Sequence, residues 1–252
     1  GWLAKRRRKR ILRDPFPNEW GRFLLRNSAA YSRLDADERA RLEDEARVFI
    51  ADHYWEGVDG LEITDEIRIT IAAEACRLLL GLPGSKFRGS NSVVVRPRAY
   101  AAGPMRLGAG VMRSGMTAVG TAMHQGPVVF AWPEVLRGAR HEEDGHNVVL
   151  HEFAHKLDMA DGVVDGAPPF MTRDEARRWR RTMSEALERL EHSVRFGLPA
   201  PMREYGASNP GEFFAVATET FFELPEALCE WDPELYDVLR GFYNQDPLAR
   251  RD

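Results

Sequence analysis

Residues 147–162 read NVVLHEFAHKLDMADG. Two imidazoles and a carboxylate, His151, Glu152 and His155, interrupt a run of Val, Leu, Phe and Ala. Burying such groups without partners costs several kcal/mol, so something must satisfy them. On an α-helix, residues four apart lie about 40° apart around the axis. His151 and His155 therefore point the same way and can both reach one metal ion at roughly 2.0–2.1 Å. Glu152 lies on the flank, better placed beside an activated water than on the metal. This H-E-x-x-H spacing supplies two ligands and a general base, the arrangement of metal-assisted peptide hydrolysis. In that chemistry the ion acidifies the water and polarises the scissile carbonyl, and Glu152 carries the proton to the leaving amine.

Chance matches to H-E-x-x-H fall mostly on exposed helices. Here Val148, Val149, Leu150, Phe153, Ala154 and Leu157 make most of the helix apolar, which a solvated face does not explain. Asp158 shares the face of the two histidines. An acid there opposes the helix macrodipole, and orienting a ligand imidazole would account for it; the alternative is an ordinary surface Asp.

A catalytic zinc takes three protein ligands and keeps one position open. Asp161 stands where the extended H-E-x-x-H-x-x-G-x-x-H pattern has its last ligand, but position 158 is Asp rather than the Gly that pattern needs. Asp174 and Glu175 lie about twenty residues on. Glu175, however, is accounted for as the partner of Thr172 in a capping box, and Asp174 sits in the same exposed turn. His141 and His146 are five apart with Gly145 between them, and read as loop residues. Glu212 opens EFFAVATETFFE, and Glu219 and Glu223 continue its stripe. Three acids on one apolar helix need a polar destination. Glu212 can equally be an N3 residue answering Asn209 at the cap, and spacing alone leaves the two readings even.

The elements around these residues follow from local signals. Asp35 and Glu38 form a capping box that starts a helix expected to run to about Trp55. Thr64 starts a buried helix stopped by Gly81 and Pro83. SNSVVVRPRAY and QGPVVFAWPE read as strands, with a Gly-rich loop from Ala101 to Met123 between them. The central helix should begin near Asp144 and end near Gly162. Thr172 starts a polar helix, Asn209 with Pro210 another, and PELYDVLRGFYNQDPL is a last one. The expected class is α+β, richer in helix than strand, with no alternating βαβ pattern.

The chain has 252 residues, 44% of them hydrophobic, enough for a substantial core. The expected division is a basic, flexible tip at residues 1–13 and a single domain at 14–252, helical to about residue 85 and catalytic beyond. The tip holds seven basic residues and no acid, which leaves −11 on the rest of a chain whose net charge is −4. Such a tip could touch nucleic acid or an anionic membrane, or remain a solvated terminus. No apolar stretch follows its charges, so it does not read as a secretory signal, and a cytoplasmic location is expected. Cys76 and Cys229 are expected to be free, buried thiols.

VVLHEFAHKLDMADG, YGASNPGEFFAVATETFFE and FYNQDPL, with QGPVVFAWPEV and DPFPNEW, resemble the Mlc titration factor A family of bacterial zinc metallopeptidases. The resemblance is strongest from about Gly126 to Leu248. It implies a zincin-like fold, one zinc ion per chain bound by His151, His155 and Glu212, and Glu152 as the base. It also implies that Tyr205, seven residues before Glu212, donates a hydroxyl beside the metal. Glu212 is preferred to Glu175 on this resemblance, not on spacing. The expected partners are a peptide or protein substrate and a sugar-responsive transcriptional repressor, whose binding gives the family its name. A rival reading is a regulator that sequesters such a partner with little hydrolysis. The intact Glu152 favours the enzyme, since a pure binder has no need of a base. By analogy with other zincins, a strand at Val128–Trp132 could hold the substrate backbone by β-addition.

Overall fold

The computed structural model describes residues 2–82, 87, 92–98, 105–107, 110–112, 126–163, 165–169 and 172–250, with backbone alone at 105–107, 110–112 and 161. The chain opens with α1 (Trp2–Ile11), α2 (Asn18–Asn27), the short α3 (Ala29–Arg33) and α4 (Ala36–Asp52). Then come β1 (Tyr54–Gly57), α5 (Asp65–Arg77), β2 (Ser92–Arg96) and the antiparallel pair β3 (Met105–Leu107) and β4 (Gly110–Met112). The second half runs β5 (Val128–Ala131), α6 (Trp132–Arg140), α7 (Val148–Asp158), α8 (Arg173–Phe196), α9 (Pro210–Glu223), α10 (Pro225–Trp231) and α11 (Pro233–Tyr243). Helix far outweighs strand, consistent with a helix-rich α+β chain.

Four of the caps fall where the sequence places them. Asp35 with Glu38, and Thr172 with Glu175, are reciprocal capping boxes. Thr64 accepts from the Ile67 amide and Asn209 from the Glu212 amide. Gly197, at φ +64°, ends α8 in the left-handed conformation that lacks a Cβ penalty only for glycine.

The sheet departs from expectation. Its order is β1-β2-β5, all parallel, with Trp55 beside Val93 and Val95 beside Phe130. The run β1–α5–β2 is thus a βαβ unit, which the sequence reading did not foresee. The helix expected to reach Trp55 stops at Asp52, and Tyr54–Gly57 form the first strand. Tyr54 and Trp55 continue the amphipathic pattern of α4 with no Gly or Pro before Gly57, so they carry almost no strand signal. β2 and β5 match the expected strands, except that Trp132 already belongs to α6. Most of the stretch from Ala101 to Met123 lies outside the described residues, as does Pro83. Cys76 is buried and Cys229 half-buried, both free.

A single hydrophobic core runs from Leu24 to Tyr243. α5 is buried almost all round, and α9 along its whole length from Gly211 to Glu223. Each fully buried Phe or Leu contributes roughly 1.5–3 kcal/mol of apolar transfer. α7 packs beside α9 with Val149, Leu150, Phe153, Ala154 and Leu157 fully covered. The Phe153 ring meets Phe49, Phe87 and Phe130. These contacts fix the rotation of α7, and so decide where its polar stripe points.

Candidate metal centre

The N-terminus of α7 is set by Asn147, not by Asp144. The Asn147 side-chain oxygen accepts from the amides of Val149 (3.1 Å) and Leu150 (3.2 Å). Its side-chain amide donates to Glu74 of α5 at 3.0 Å, and its backbone N–H to Glu219 of α9 at 2.7 Å. Glu74 is held in turn by Arg77, which also pairs with the buried Glu142. The cap is therefore tied to two other helices, and α7 has little freedom to slide.

From that position His151 and His155 face Glu212 on α9. The two Nε2 atoms are 3.3 Å apart. Glu212 Oε2 lies 3.1 Å from the first and 3.3 Å from the second. A tetrahedral ion bonded at 2.0–2.1 Å separates its ligand atoms by about 3.3–3.4 Å, so the triangle is of the right size for zinc. Glu212 Oε2 makes no well-aligned hydrogen bond, although both rings stand at ion-pair distance from it. Three lone-pair atoms converge on one point, which is what a cation would satisfy. The cap uses only the backbone of Glu212: its amide answers Asn209, while its carboxylate points to the histidines and closes no capping box.

Charge follows the same logic. Burial alone would lower the His151 pKa, but the Glu212 and Glu219 carboxylates against its two ring nitrogens override it and push it to about 10. Burial would raise the Glu212 carboxyl, yet the two rings hold it far below its usual range. This pocket favours positive charge, whether a proton or a metal ion supplies it.

Glu219 plays a part the sequence reading left unassigned. Its Oε1 accepts from His151 Nδ1 at 2.7 Å and from Arg203. Its Oε2 accepts from the Asn147 amide and faces His146 Nδ1 at 3.1 Å. These donors hold the carboxyl at about 2 despite near-complete burial, which acts to raise it. With Nδ1 of His151 committed as a donor, its Nε2 keeps a lone pair for a metal. The available signal was the seven-residue step from Glu212, which puts both acids on one face of α9. His146 is a loop residue as expected, but Glu219 brings it to the edge of the site.

Asp158 is corrected. It accepts from the amides of Gly166 (3.0 Å) and Ala167 (2.9 Å) and pins that turn under the end of α7. Burial pushes its carboxyl up to about 6. Among the described residues, His155 Nδ1 has no hydrogen-bond partner, so Asp158 does not orient that ring.

Glu152 is half-buried on the flank of α7, and its charge reaches both His151 and Tyr205. Tyr205 sits in a 3₁₀ turn, Glu204–Ser208, with its ring centroid 6.0 Å from that of His151. Burial, and then the Glu212 carboxylate, raise its pKa, so the hydroxyl stays protonated and can donate. Gly206 lets this turn approach: a Cβ there would meet Leu190 and Val216 at 3.2 Å. The set aside candidates lie elsewhere. Glu175 caps α8, Asp174 pairs with Arg177 in the exposed first turn, and His141 is exposed. The Asp161 side chain is outside the described residues.

The chain matches the family model described as glucose-regulated metallo-peptidase M90 over residues 2–244. It is 34% identical over 250 residues to an uncharacterised protein of Synechocystis sp., covering 98% of this chain and 90% of that protein. It is 33% identical to the Mlc titration factor A of Serratia proteamaculans over 224 residues, 87% of this chain and 84% of the relative. It is 34% identical to the Mlc titration factor A of Yersinia pestis over 227 residues, 86% of this chain and 81% of the relative. The pair of helices that brings two histidines and a glutamate together thus belongs to a chain that is a member of the M90 metallopeptidase family, together with the Mlc titration factor A proteins.

Proposed function

We propose that this chain is a zinc-dependent peptidase with a zincin-like core. The carrying observation is the triangle of His151 Nε2, His155 Nε2 and Glu212 Oε2, with Glu152 and Tyr205 beside it. Two imidazoles and one carboxylate form a donor set of the kind a catalytic zinc takes. When bound, zinc would acidify water and polarise a carbonyl. Glu152 accepts the proton of the attacking water and passes it to the leaving nitrogen. Tyr205 donates its hydroxyl hydrogen bond to the oxygen on which negative charge grows. Glu219 holds the His151 ring in the tautomer that this work needs. β5, at one end of the sheet, supports a docking role for an extended substrate strand.

A second reading rests on the relatives' names. Two of them are titration factors for Mlc, so this chain could act by binding a transcriptional repressor, with hydrolysis secondary. The experiment that separates the two uses purified protein and aminoacyl and peptide substrates. One zinc per chain is expected, with hydrolysis that stops on chelation and returns with zinc. Glu152→Gln should keep zinc and lose about 10²–10⁴-fold in rate, the usual weight of a general base. Retained turnover in that variant, or zinc lost with the substitution, removes Glu152 from the role given to it.

A further inference from the structure

The seven basic residues of the tip are not equivalent once the tip is seen as a helix. α1 lies against α4, and two of its arginines are spent there. Arg7 pairs with Asp52 and donates to the Ala51 carbonyl at 2.6 Å, and Arg8 pairs with Glu45 at 2.9 Å. Arg47 of α4 answers by donating to the carbonyls of Ile11 and Asp14, each at 2.6 Å. Ile11 and Leu12 are half-buried on the same side. α1 is thus fastened by its back.

The other face carries everything left over. At 100° per residue, Trp2, Arg6 and Lys9 fall on one line, flanked by Lys5 and Arg10, with Leu3 at the margin and Arg13 just past the helix end. Trp2 is 66% exposed and Leu3 75%, the Arg6 guanidinium lies 4.6 Å over the Trp2 ring, and the five cations are exposed. Among the described residues none of Lys5, Arg6, Lys9, Arg10 and Arg13 has an acidic partner. The nearby acids of α4 are already matched: Glu45 by Arg8, Asp52 by Arg7, Asp44 by Arg47.

We propose that this outward face of α1 is a docking surface for an anionic lipid bilayer, with Lys5, Arg6, Lys9, Arg10 and Arg13 on the headgroups and Trp2 and Leu3 in the interface. Clustered Lys and Arg beside a Trp and a Leu on one helical face suit a surface that is anionic outside and apolar just beneath. Duplex nucleic acid offers the phosphates but gives Leu3 nothing to enter. No described helix is long and apolar enough to cross a membrane. The −11 carried by the rest of the chain is repelled by the same surface, which leaves α1 as the side that approaches.

The test is flotation of the intact protein with vesicles of phosphatidylcholine alone or with one-third phosphatidylglycerol, at low and high salt. Binding should require the anionic lipid and fall as salt rises. The double variant Arg6→Glu/Lys9→Glu should lose at least about tenfold in affinity, since each such cation near an anionic surface is worth about fivefold. Trp2→Ser should weaken binding separately, including at high salt. Neither change touches the packed side of α1, so melting temperature and metal content should stay at wild-type values. Absence of binding to anionic vesicles, or equal binding to neutral ones, overturns the proposal. So does tighter binding to duplex DNA than to vesicles, lost in the same double variant.

Discussion

At the scale of single residues, the site divides into what is local and what is not. His151, Glu152 and His155 are legible in the sequence because helical geometry fixes their relation within one turn. The third corner of the triangle comes from another helix, and its distance along the chain is set by the fold, not by the chemistry. Spacing therefore left Glu212 balanced between ligand and cap, and the structure shows why both readings had merit. Its amide serves the cap while its carboxylate serves the site. This dual use makes a discriminating experiment possible. Glu212→Gln keeps the amide bond to Asn209, so α9 should form and metal-free stability should change little. A neutral amide is a far poorer zinc ligand, so metal affinity and activity should fall by orders of magnitude. Glu175→Gln, at the exposed cap of α8, should keep both. Metal content after dialysis against a weak chelator is the measurement. Full zinc in the Glu212 variant with loss in the Glu175 variant would reverse the assignment.

At the scale of elements, the carboxylate of Glu219 joins four pieces of chain: α7 through His151, its cap through Asn147, the loop before it through His146, and the approach to the 3₁₀ turn through Arg203. No periodicity announces such a hub, since three of the four donors lie about seventy residues away in sequence. The two capping boxes, by contrast, are written within four residues and stand where the sequence puts them. Strand β1 was lost for the opposite reason, because its four residues extend the pattern of α4. Arg203 stands two residues before Tyr205, and its bond to Glu219 fixes where that turn begins. Arg203→Met should therefore displace Tyr205 and lower kcat by about tenfold, with KM and zinc content little changed; a misplacement on the order of 1 Å suffices for such a loss. Arg203→Lys should recover part of the rate, since a point charge replaces the fork without its geometry. Tyr205→Phe should lower kcat further, by about 10²–10³-fold, the usual weight of one oxyanion donor. Combining Arg203→Met with Tyr205→Phe should add little to the second change alone. Full additivity would mean that Arg203 acts on the site by some route other than Tyr205.

At the scale of the whole molecule, the site is not an appendage of the core but a seam within it. α7 and α9 are both covered along most of their length, and His151, His155, Glu212 and Glu219 meet in the seam between them. The parallel sheet lies on the other side of α7, where Phe153 meets Phe130 of β5. Parallel pairing joins residues far apart in sequence and leaves no local mark, so this layer order could not be read before the structure. A consequence is that metal binding and folding share one free energy. His151 and His155 on α7 and Glu212 on α9 would hold such an ion, which would tie two central helices together and, by binding the native state alone, stabilise it by mass action. At zinc concentrations about a hundred times Kd the gain is about 2.7 kcal/mol. For a domain of this size that corresponds to a rise of roughly 5–10 °C in melting temperature. Chelation should remove that increment, and zinc should restore it. Glu212→Gln should melt close to the chelated wild type and fail to respond to zinc, whereas Glu152→Gln should respond fully, because it lacks the base and not a ligand. A melting temperature that does not move while zinc is demonstrably lost would mean that the ion sits outside the seam between α7 and α9, and the triangle would no longer be its site.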